Sequence, residues 1–287
     1  MNTVTLYKRP LISNKTIKIR TDIDRMIKSR LFFIGAVLLV IMVSGCITTE
    51  KGGFEKAKTV DAAVSIRVNA AKQYLQKRDF ESAKRHLKSA LELDPDAPSV
   101  HDALALTFHA SGELDLAEIH YRKAVHLSDG QSRFRVNYAN YLFQKGEFEQ
   151  AERQLLIVAD DSLYEKRESA LLLLGLTQQQ LLQLENAKES FERALVLNPS
   201  NRRVLRELAI VSYDARKYTE AWYYLQQYRK YTSKPSAEML LLGIELAGER
   251  NDQDARASFV LALKNIYPES REYKSYLRDT ERKQSAE

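Results

Sequence analysis

Few residues in this 287-residue chain have types and spacings that could do chemistry. The five histidines are His86, His101, His109, His120 and His126. No two of them are four residues apart, the spacing that places two metal ligands on one face of a helix. The adjacent Asp160 and Asp161 fit a helix cap better than a catalytic pair, and the chain has neither a glycine-rich phosphate loop nor a serine elbow. We therefore predict surface or interface histidines and a protein without catalytic residues, metal or cofactor.

The single cysteine, Cys46, follows a segment with the layout of a secretory signal peptide. Lys28 and Arg30 precede thirteen apolar residues, 31–43, which are too few to cross a bilayer comfortably as a helix. A charged start, a short apolar core and small residues at the exit are typical of signal peptides. A transmembrane anchor with a buried cysteine is the alternative, which this length disfavours. Translation could start at Met26, which leaves a leader of twenty residues, a normal length.

The residues at the end of this segment, which resemble a bacterial lipobox, are Val43, Ser44, Gly45 and Cys46. The resemblance implies that residues 1–45 are removed, that the Cys46 thiol carries a diacylglycerol and that its amine carries a further acyl chain such as palmitate. More than one chain gives stable anchoring, because each buried methylene contributes about 0.8 kcal/mol. Ile47 stands where an aspartate would favour retention, so the resemblance also implies an outer-membrane lipoprotein that faces the periplasm.

The charge distribution argues against a nucleic-acid partner. The whole chain has a net charge of +6, but residues 1–45 hold eight basic and two acidic residues, which leaves 36 of each sign in the remainder. A nucleic-acid-binding domain would carry a basic surplus.

Acylation of Cys46 leaves no thiol for a disulfide. Residues 46–63 are predicted to be the lipidated N-terminus and a flexible tether.

Small residues recur at a fixed interval and predict the elements of the fold. The alanines of this series, at spacings of 34, 34, 36, 34 and 34 residues, are Ala83, Ala117, Ala151, Ala187, Ala221 and Ala255. A period near 34 is typical of stacked helix–turn–helix units. With this alanine as the twentieth residue, the six units are 64–97, 98–131, 132–167, 168–201, 202–235 and 236–269. Residues 270–287 are predicted to be a polar cap with a disordered end.

Two further positions of each unit support the helical hairpin. The eighth residue is small in every unit: Ala71, Ala105, Ala139, Gly175, Ala209 and Gly243. The twenty-fourth residue is large and apolar in every unit: Leu87, Tyr121, Leu155, Phe191, Leu225 and Phe259. Small residues let the two helices approach to about 8–10 Å, and the large residue fills the groove beside them. This pattern resembles the tetratricopeptide repeat (TPR), so we predict an all-α superhelical solenoid of six repeats with a C-terminal capping helix.

In that architecture the first helix of each unit lines the concave surface. The candidate partner-binding residues there are Asn69, Leu106, Arg133, Asn137, Asn140, Phe143, Leu172, Leu176, Gln179, Arg206, Ile210 and Tyr213. Asn137 and Asn140 could hold the backbone of an extended peptide, above an apolar floor that includes Phe143 and Leu172. In the alternative, the leucines only close contacts between helices and the asparagines are merely solvated.

Several longer stretches resemble the type IV pilus biogenesis and stability lipoproteins, the PilF/PilW family. These stretches are residues 137–143 (Asn-Tyr-Ala-Asn-Tyr-Leu-Phe), 161–164, 240–247 and 261–270. The family resemblance implies a pilotin, an outer-membrane lipoprotein that escorts secretin subunits and promotes their assembly into the ring through which pili exit. Its partners would be the secretin and other pilus assembly proteins. A periplasmic TPR adaptor for cell-wall hydrolases or proteases is the alternative function.

Overall fold

The computed structural model describes the backbone of residues 56–284 and the side chains of residues 59–282. The predicted signal peptide, the lipobox and Cys46 lie outside the described residues. Residues 56–284 form thirteen helices and no strand, which confirms the all-α prediction. The helices are α1 (Lys56–Gln76), α2 (Phe80–Leu93), α3 (Pro98–Ser111), α4 (Leu114–Leu127), α5 (Ser132–Lys145), α6 (Phe148–Ala159), α7 (Arg167–Gln180), α8 (Leu184–Leu197), α9 (Arg202–Asp214), α10 (Tyr218–Lys230), α11 (Ala237–Glu249), α12 (Gln253–Ile266) and α13 (Arg271–Gln284).

Helices α1 to α12 pair as six consecutive hairpins, one in each predicted unit. Three clusters of buried apolar side chains form their core, and partly buried residues join the clusters. In chain order, the first cluster covers residues 64–104, the second or central cluster covers 105–211 and the third or C-terminal cluster covers 205–263. Phe108 packs against the first and second clusters, and Leu195 and Tyr224 pack against the second and third. The core therefore runs through all six hairpins, as a solenoid requires. Among the described residues, no helix is long and apolar enough to span a membrane.

The turn inside each hairpin contains one residue with left-handed backbone geometry, two positions before the second helix. These residues are Arg78, Gly112, Gly146, Leu182, Arg216 and Asn251. Glycine adopts this geometry without strain, with φ of 87° at Gly112 and 84° at Gly146. Between units, helices α2, α8 and α12 end just before the Asp94-Pro95, Asn198-Pro199 and Tyr267-Pro268 steps, because proline lacks the backbone donor that a helix needs.

The alanines of the 34-residue series lie at the crossing of the two helices in each hairpin. Five of them, all except Ala255, are completely buried. Each of these five is the fourth residue of its helix, whereas Ala255 is the third residue of α12 and is partly exposed. The turn before α12 lies one residue later than in the other units, so Ala255 is displaced from the crossing and Leu263 is buried further along the helix.

Both ends of the array are more helical than the sequence analysis expected. Helix α1 begins at Lys56, inside the segment 46–63 that was predicted to be a flexible tether. This stretch is rich in alanine and lysine, which favour helix, and Val60 packs against the first apolar cluster. Helix α13 continues to Gln284 through residues predicted to be disordered. It contacts α11, and the Thr280 hydroxyl donates to the Tyr276 carbonyl, 2.9 Å away.

Candidate partner-binding groove

The predicted binding residues lie on the first helices of units one to five and differ in exposure. Asn69, Arg133 and Asn140 are exposed. The residues that are partly exposed are Leu106, Asn137, Phe143, Leu176, Gln179, Arg206, Ile210 and Tyr213. Leu172 is buried, so it contributes to the core more than to a surface that a partner could touch. Among the predicted residues, the partly exposed apolar ones on α3, α5 and α7 are Leu106, Phe143 and Leu176, which pack on the central cluster.

A buried carboxylate, Asp102, organises the polar part of this surface. The Asn137 side-chain amide donates to both Asp102 carboxylate oxygens, at 2.8 and 3.0 Å, and so links α3 to α5. Burial raises the pKa of Asp102, while the Asn137 amide and the charges of Lys72 and Arg133 act in the opposite direction. The structure thus brings Lys72, Arg133 and Asn137 together around one carboxylate, which stabilises their arrangement across units one to three.

The contact with Asp102 determines which atom of the Asn137 side chain is available to a ligand. Its amide nitrogen is engaged by Asp102, which leaves the carbonyl oxygen as the group that can accept from a peptide N–H. Asn140, one turn further along α5, is exposed. Sequence reasoning did not select Asp102, although it is the fifth residue of its unit, the position that the predicted groove residue Arg206 occupies in unit five. The signal that the sequence offered was an acidic side chain at a position predicted to face the groove.

Arg206, Ile210 and Tyr213 form a second group on α9, apart from the residues of α5. Ile210 and Tyr213 pack against the C-terminal cluster. The Arg206 guanidinium contacts the carboxylate of Glu207, which is only 5% exposed. Burial and the nearby Glu245 carboxylate raise the pKa of Tyr213 to about 12, so its hydroxyl stays protonated at neutral pH. Sequence reasoning missed Glu207, which balances the charge of Arg206.

The histidines form an interhelical contact in unit two. The His101 and His120 Nδ1 atoms are 2.9 Å apart, and His101 Nε2 is 2.9 Å from the Pro95 carbonyl oxygen. Burial lowers the pKa of both rings, that of His120 to about 4. Both are therefore neutral near pH 7, and His120 also stacks on Phe108. Within residues 59–282, no three histidine, cysteine or acidic side chains are grouped as metal ligands.

The chain is similar to proteins of pilus biogenesis along most of its length. The tetratricopeptide repeat family matches it at residues 68–132 and 172–238. The type IV pilus assembly protein PilF of Pseudomonas aeruginosa is 35% identical over 240 residues, which are 83% of this chain and 95% of PilF. The solved structure of that PilF superimposes with a TM-score of 0.68 over 77% of this chain and 99% of its own.

Two other solved structures share the fold. PilW, described as a widely conserved type IV pilus biogenesis factor, is 22% identical, with a TM-score of 0.64 over 75% of this chain and 98% of PilW. The TPR protein YrrB is 14% identical, with a TM-score of 0.58 over 67% of this chain and 97% of YrrB. These two establish the superhelical TPR architecture, whereas the identity and coverage of PilF establish the family. The chain therefore belongs to the PilF/PilW family of type IV pilus biogenesis proteins, whose repeats bind other proteins.

Proposed function

We propose that this protein is an outer-membrane lipoprotein, a pilotin, that promotes localisation and assembly of the type IV pilus secretin. The observation that carries the proposal is the similarity to PilF over 83% of this chain and 95% of PilF. The lipobox residues 43–46 add a means of anchoring. The surface centred on Asn137, which comprises Leu106, Asn137, Asn140, Phe143 and Leu176, adds a means of binding. No catalytic step is required of the chain.

The groove supplies the features that binding of an extended segment needs. Leu106, Phe143 and Leu176 give a partly exposed apolar floor, and burial of such surface drives association. The Asn137 carbonyl and the exposed Asn140 amide on α5 supply hydrogen-bonding groups. The Asp102–Asn137 contact joins two units, so the binding surface is held in place before the partner arrives, which lowers the entropic cost of binding.

The proposed lipid on Cys46 acts through concentration and not through new contacts. Tethering confines the array to the membrane surface on which the secretin assembles, so encounters take place at a high effective concentration. A weak groove contact is then sufficient, and the complex can dissociate once the secretin ring has formed.

The anchoring step is tested with Cys46→Ala in the full-length protein expressed in its native host. We expect a repeat array with unchanged circular dichroism that is absent from outer-membrane fractions, and a loss of heat-resistant secretin multimers. Ser44→Ala is the matched control, because it keeps a small residue in the lipobox and should sort normally. Normal sorting and normal multimers in the Cys46→Ala strain would refute the proposed mechanism.

The binding step is tested by co-purification from gently solubilised membranes. The tagged wild-type protein should retain the secretin, whereas Asn140→Arg combined with Leu106→Arg should release it, because both changes place charge on the proposed binding surface. Lys88→Glu, an exposed change on α2, serves as the control for altered charge. Recovery of cell-wall hydrolases or proteases in place of the secretin would support the adaptor function instead.

A further inference from the structure

A basic pocket lies between units five and six, outside the surface centred on Asn137. It has a volume of about 520 Å³ and is lined by the start of α9, the end of α10, the loop between α10 and α11, and Tyr267, which follows α12. Its cationic residues are Arg202, Arg203, Arg206 and Lys234. No acidic residue lines it, so its electrostatic potential favours an anion.

Three of these cations have no carboxylate partner within the described residues. Arg202, Arg203 and Lys234 are exposed, and none of them forms an ion pair there. Lys234 lies over the Tyr267 ring, with its Nζ 5.3 Å from the ring centroid. Arg206 is paired with Glu207, so among the four cations of the pocket it alone has a carboxylate partner in residues 59–282. A surplus of unbalanced positive charge on one wall attracts carboxylates and raises their rate of association.

A hydroxyl in the same pocket lacks a hydrogen-bond partner. The Thr232 Oγ1 atom is buried and makes no hydrogen bond among the described residues, although Thr232 lines the pocket. Buried polar groups are normally paired, so an unpaired donor beside three free cations points to an anionic acceptor. The Ser236 hydroxyl accepts from the Met239 backbone N–H and can still donate its own proton to that acceptor.

A second basic pocket shows why the first is the stronger candidate. Its arginines include Arg122, Arg135 and Arg153. Arg122 already binds the Tyr138 hydroxyl and the Glu118 carboxylate. Arg135 donates to the Gly130 carbonyl and to Gln154. Two of these three arginines are therefore occupied by internal partners, whereas most cations of the pocket between units five and six are available.

The pocket adjoins apolar groups on one face of α9. Arg203, Arg206, Ile210 and Tyr213 follow one another at helical spacings of three, four and three residues. Ile210 and Tyr213 are partly exposed. A protein segment that places an acidic side chain among the arginines would therefore meet apolar surface about one to two turns away. A polyanion such as nucleic acid needs a longer basic track than this one pocket supplies.

We infer that the pocket between units five and six binds an acidic segment of a protein partner, with carboxylates on Arg203 and Lys234 and an apolar residue on Ile210. This inference deepens the proposed function, because it specifies the chemistry of the partner segment. It differs from that function in the units used, since the surface centred on Asn137 lies in units two to four.

The test uses the mature lipoprotein in detergent and a fluorescein-labelled, amidated peptide of four glutamates followed by leucine and phenylalanine. We expect saturable binding by fluorescence anisotropy that weakens as salt is raised. Arg203→Glu combined with Lys234→Glu should bind at least about tenfold more weakly, because the loss of one charge-assisted contact alone has about that effect and this variant loses two. The control, Lys88→Glu combined with Arg153→Glu, makes the same change of net charge at other exposed sites and should bind as the wild type does.

Three results would overturn the inference: no saturable binding by the wild type, equal binding of a peptide with glutamine in place of glutamate, or equal binding by the pocket variant. Loss of binding to phosphatidylglycerol vesicles in the pocket variant, with peptide binding retained, would assign the pocket to lipid and also refute it. Secretin co-purification separates the two proposals. Retention of secretin without peptide binding leaves the pilotin function standing, and peptide binding without secretin retention leaves only the pocket standing.

Discussion

Units three and four build the same helical hairpin from different pairs of side chains. Unit three places Ala139 opposite Leu155, and all of these side-chain atoms are buried. Unit four places Gly175 opposite Phe191, whose ring is also fully buried. A Cβ atom added to Gly175 would lie 2.4 Å from Phe191 Cε1, closer than any real contact. The larger ring therefore occupies the space that the alanine methyl fills in unit three.

Three of the other units follow the same exchange, whereas unit two pairs Ala105 with the Tyr121 ring. Unit six repeats the glycine–phenylalanine pair, since a Cβ atom on Gly243 would lie 2.6 Å from the Phe259 ring. Units one and five combine alanine with leucine, as unit three does. Glycine within a helix costs about 1 kcal/mol relative to alanine. At the eighth position glycine occurs only opposite phenylalanine, which indicates that the packing of the ring offsets this cost. Outside unit two, a larger twenty-fourth residue is therefore matched by a smaller eighth residue.

The largest loss of stability should come from removing the Phe191 ring. Phe191→Ala should lower the free energy of unfolding by about 3–5 kcal/mol, because glycine opposite it supplies no side chain to fill the cavity. Leu155→Ala in unit three is the matched change and should cost less, about 2–3 kcal/mol, since the Ala139 methyl limits the void. Urea denaturation followed by circular dichroism measures both. An equal loss in the two variants would contradict the difference drawn between the units.

The next effect should come from adding a single methyl group. Gly175→Ala should lower the free energy of unfolding by about 1–3 kcal/mol through overpacking against Phe191, even though alanine is the better helix former. Gly248 in α11 supplies the control, because no atom lies within 4 Å of a Cβ atom placed there. Gly248→Ala should therefore be neutral or stabilise the protein by up to about 1 kcal/mol. A stabilised Gly175→Ala variant would show that the ring moves without penalty.

The parts of the fold that the sequence predicts are those that a repeated residue pattern marks. The 34-residue spacing of Ala83 and its equivalents predicted six hairpins, because every unit buries the same face. Left-handed turns at Leu182 and Arg216 were not predicted, since neither residue type favours that geometry and the stacked units impose it. The early start of α1 was missed because its first turns bury little apolar surface and so carry no clear periodicity.

The candidate sites were less predictable than the fold. The first-helix positions indicated Asn137 and Arg206 as accessible groups, but not the acidic residues Asp102 and Glu207 that contact them. The basic pocket also escaped sequence reasoning. Arg203 and Lys234 lie at the two ends of unit five, and the hairpin of that unit brings them to one pocket, which Ser236 and Tyr267 of unit six complete. Such a contact depends on folding of the hairpin and gives no signal at the repeat period.

The smallest net change in stability should come from replacing the glycine–phenylalanine pair of unit four with the alanine–leucine pair of unit three. Gly175→Ala combined with Phe191→Leu recreates the pair of unit three within unit four. Its free energy of unfolding should lie within about 1.5 kcal/mol of the wild type, because volume-conserving changes are tolerated best. The double-mutant cycle should give a coupling energy of about 1–3 kcal/mol between the two sites, as expected for residues in contact. Additive losses would mean that glycine and phenylalanine act independently. They would contradict the matching of a small eighth residue to a large twenty-fourth residue.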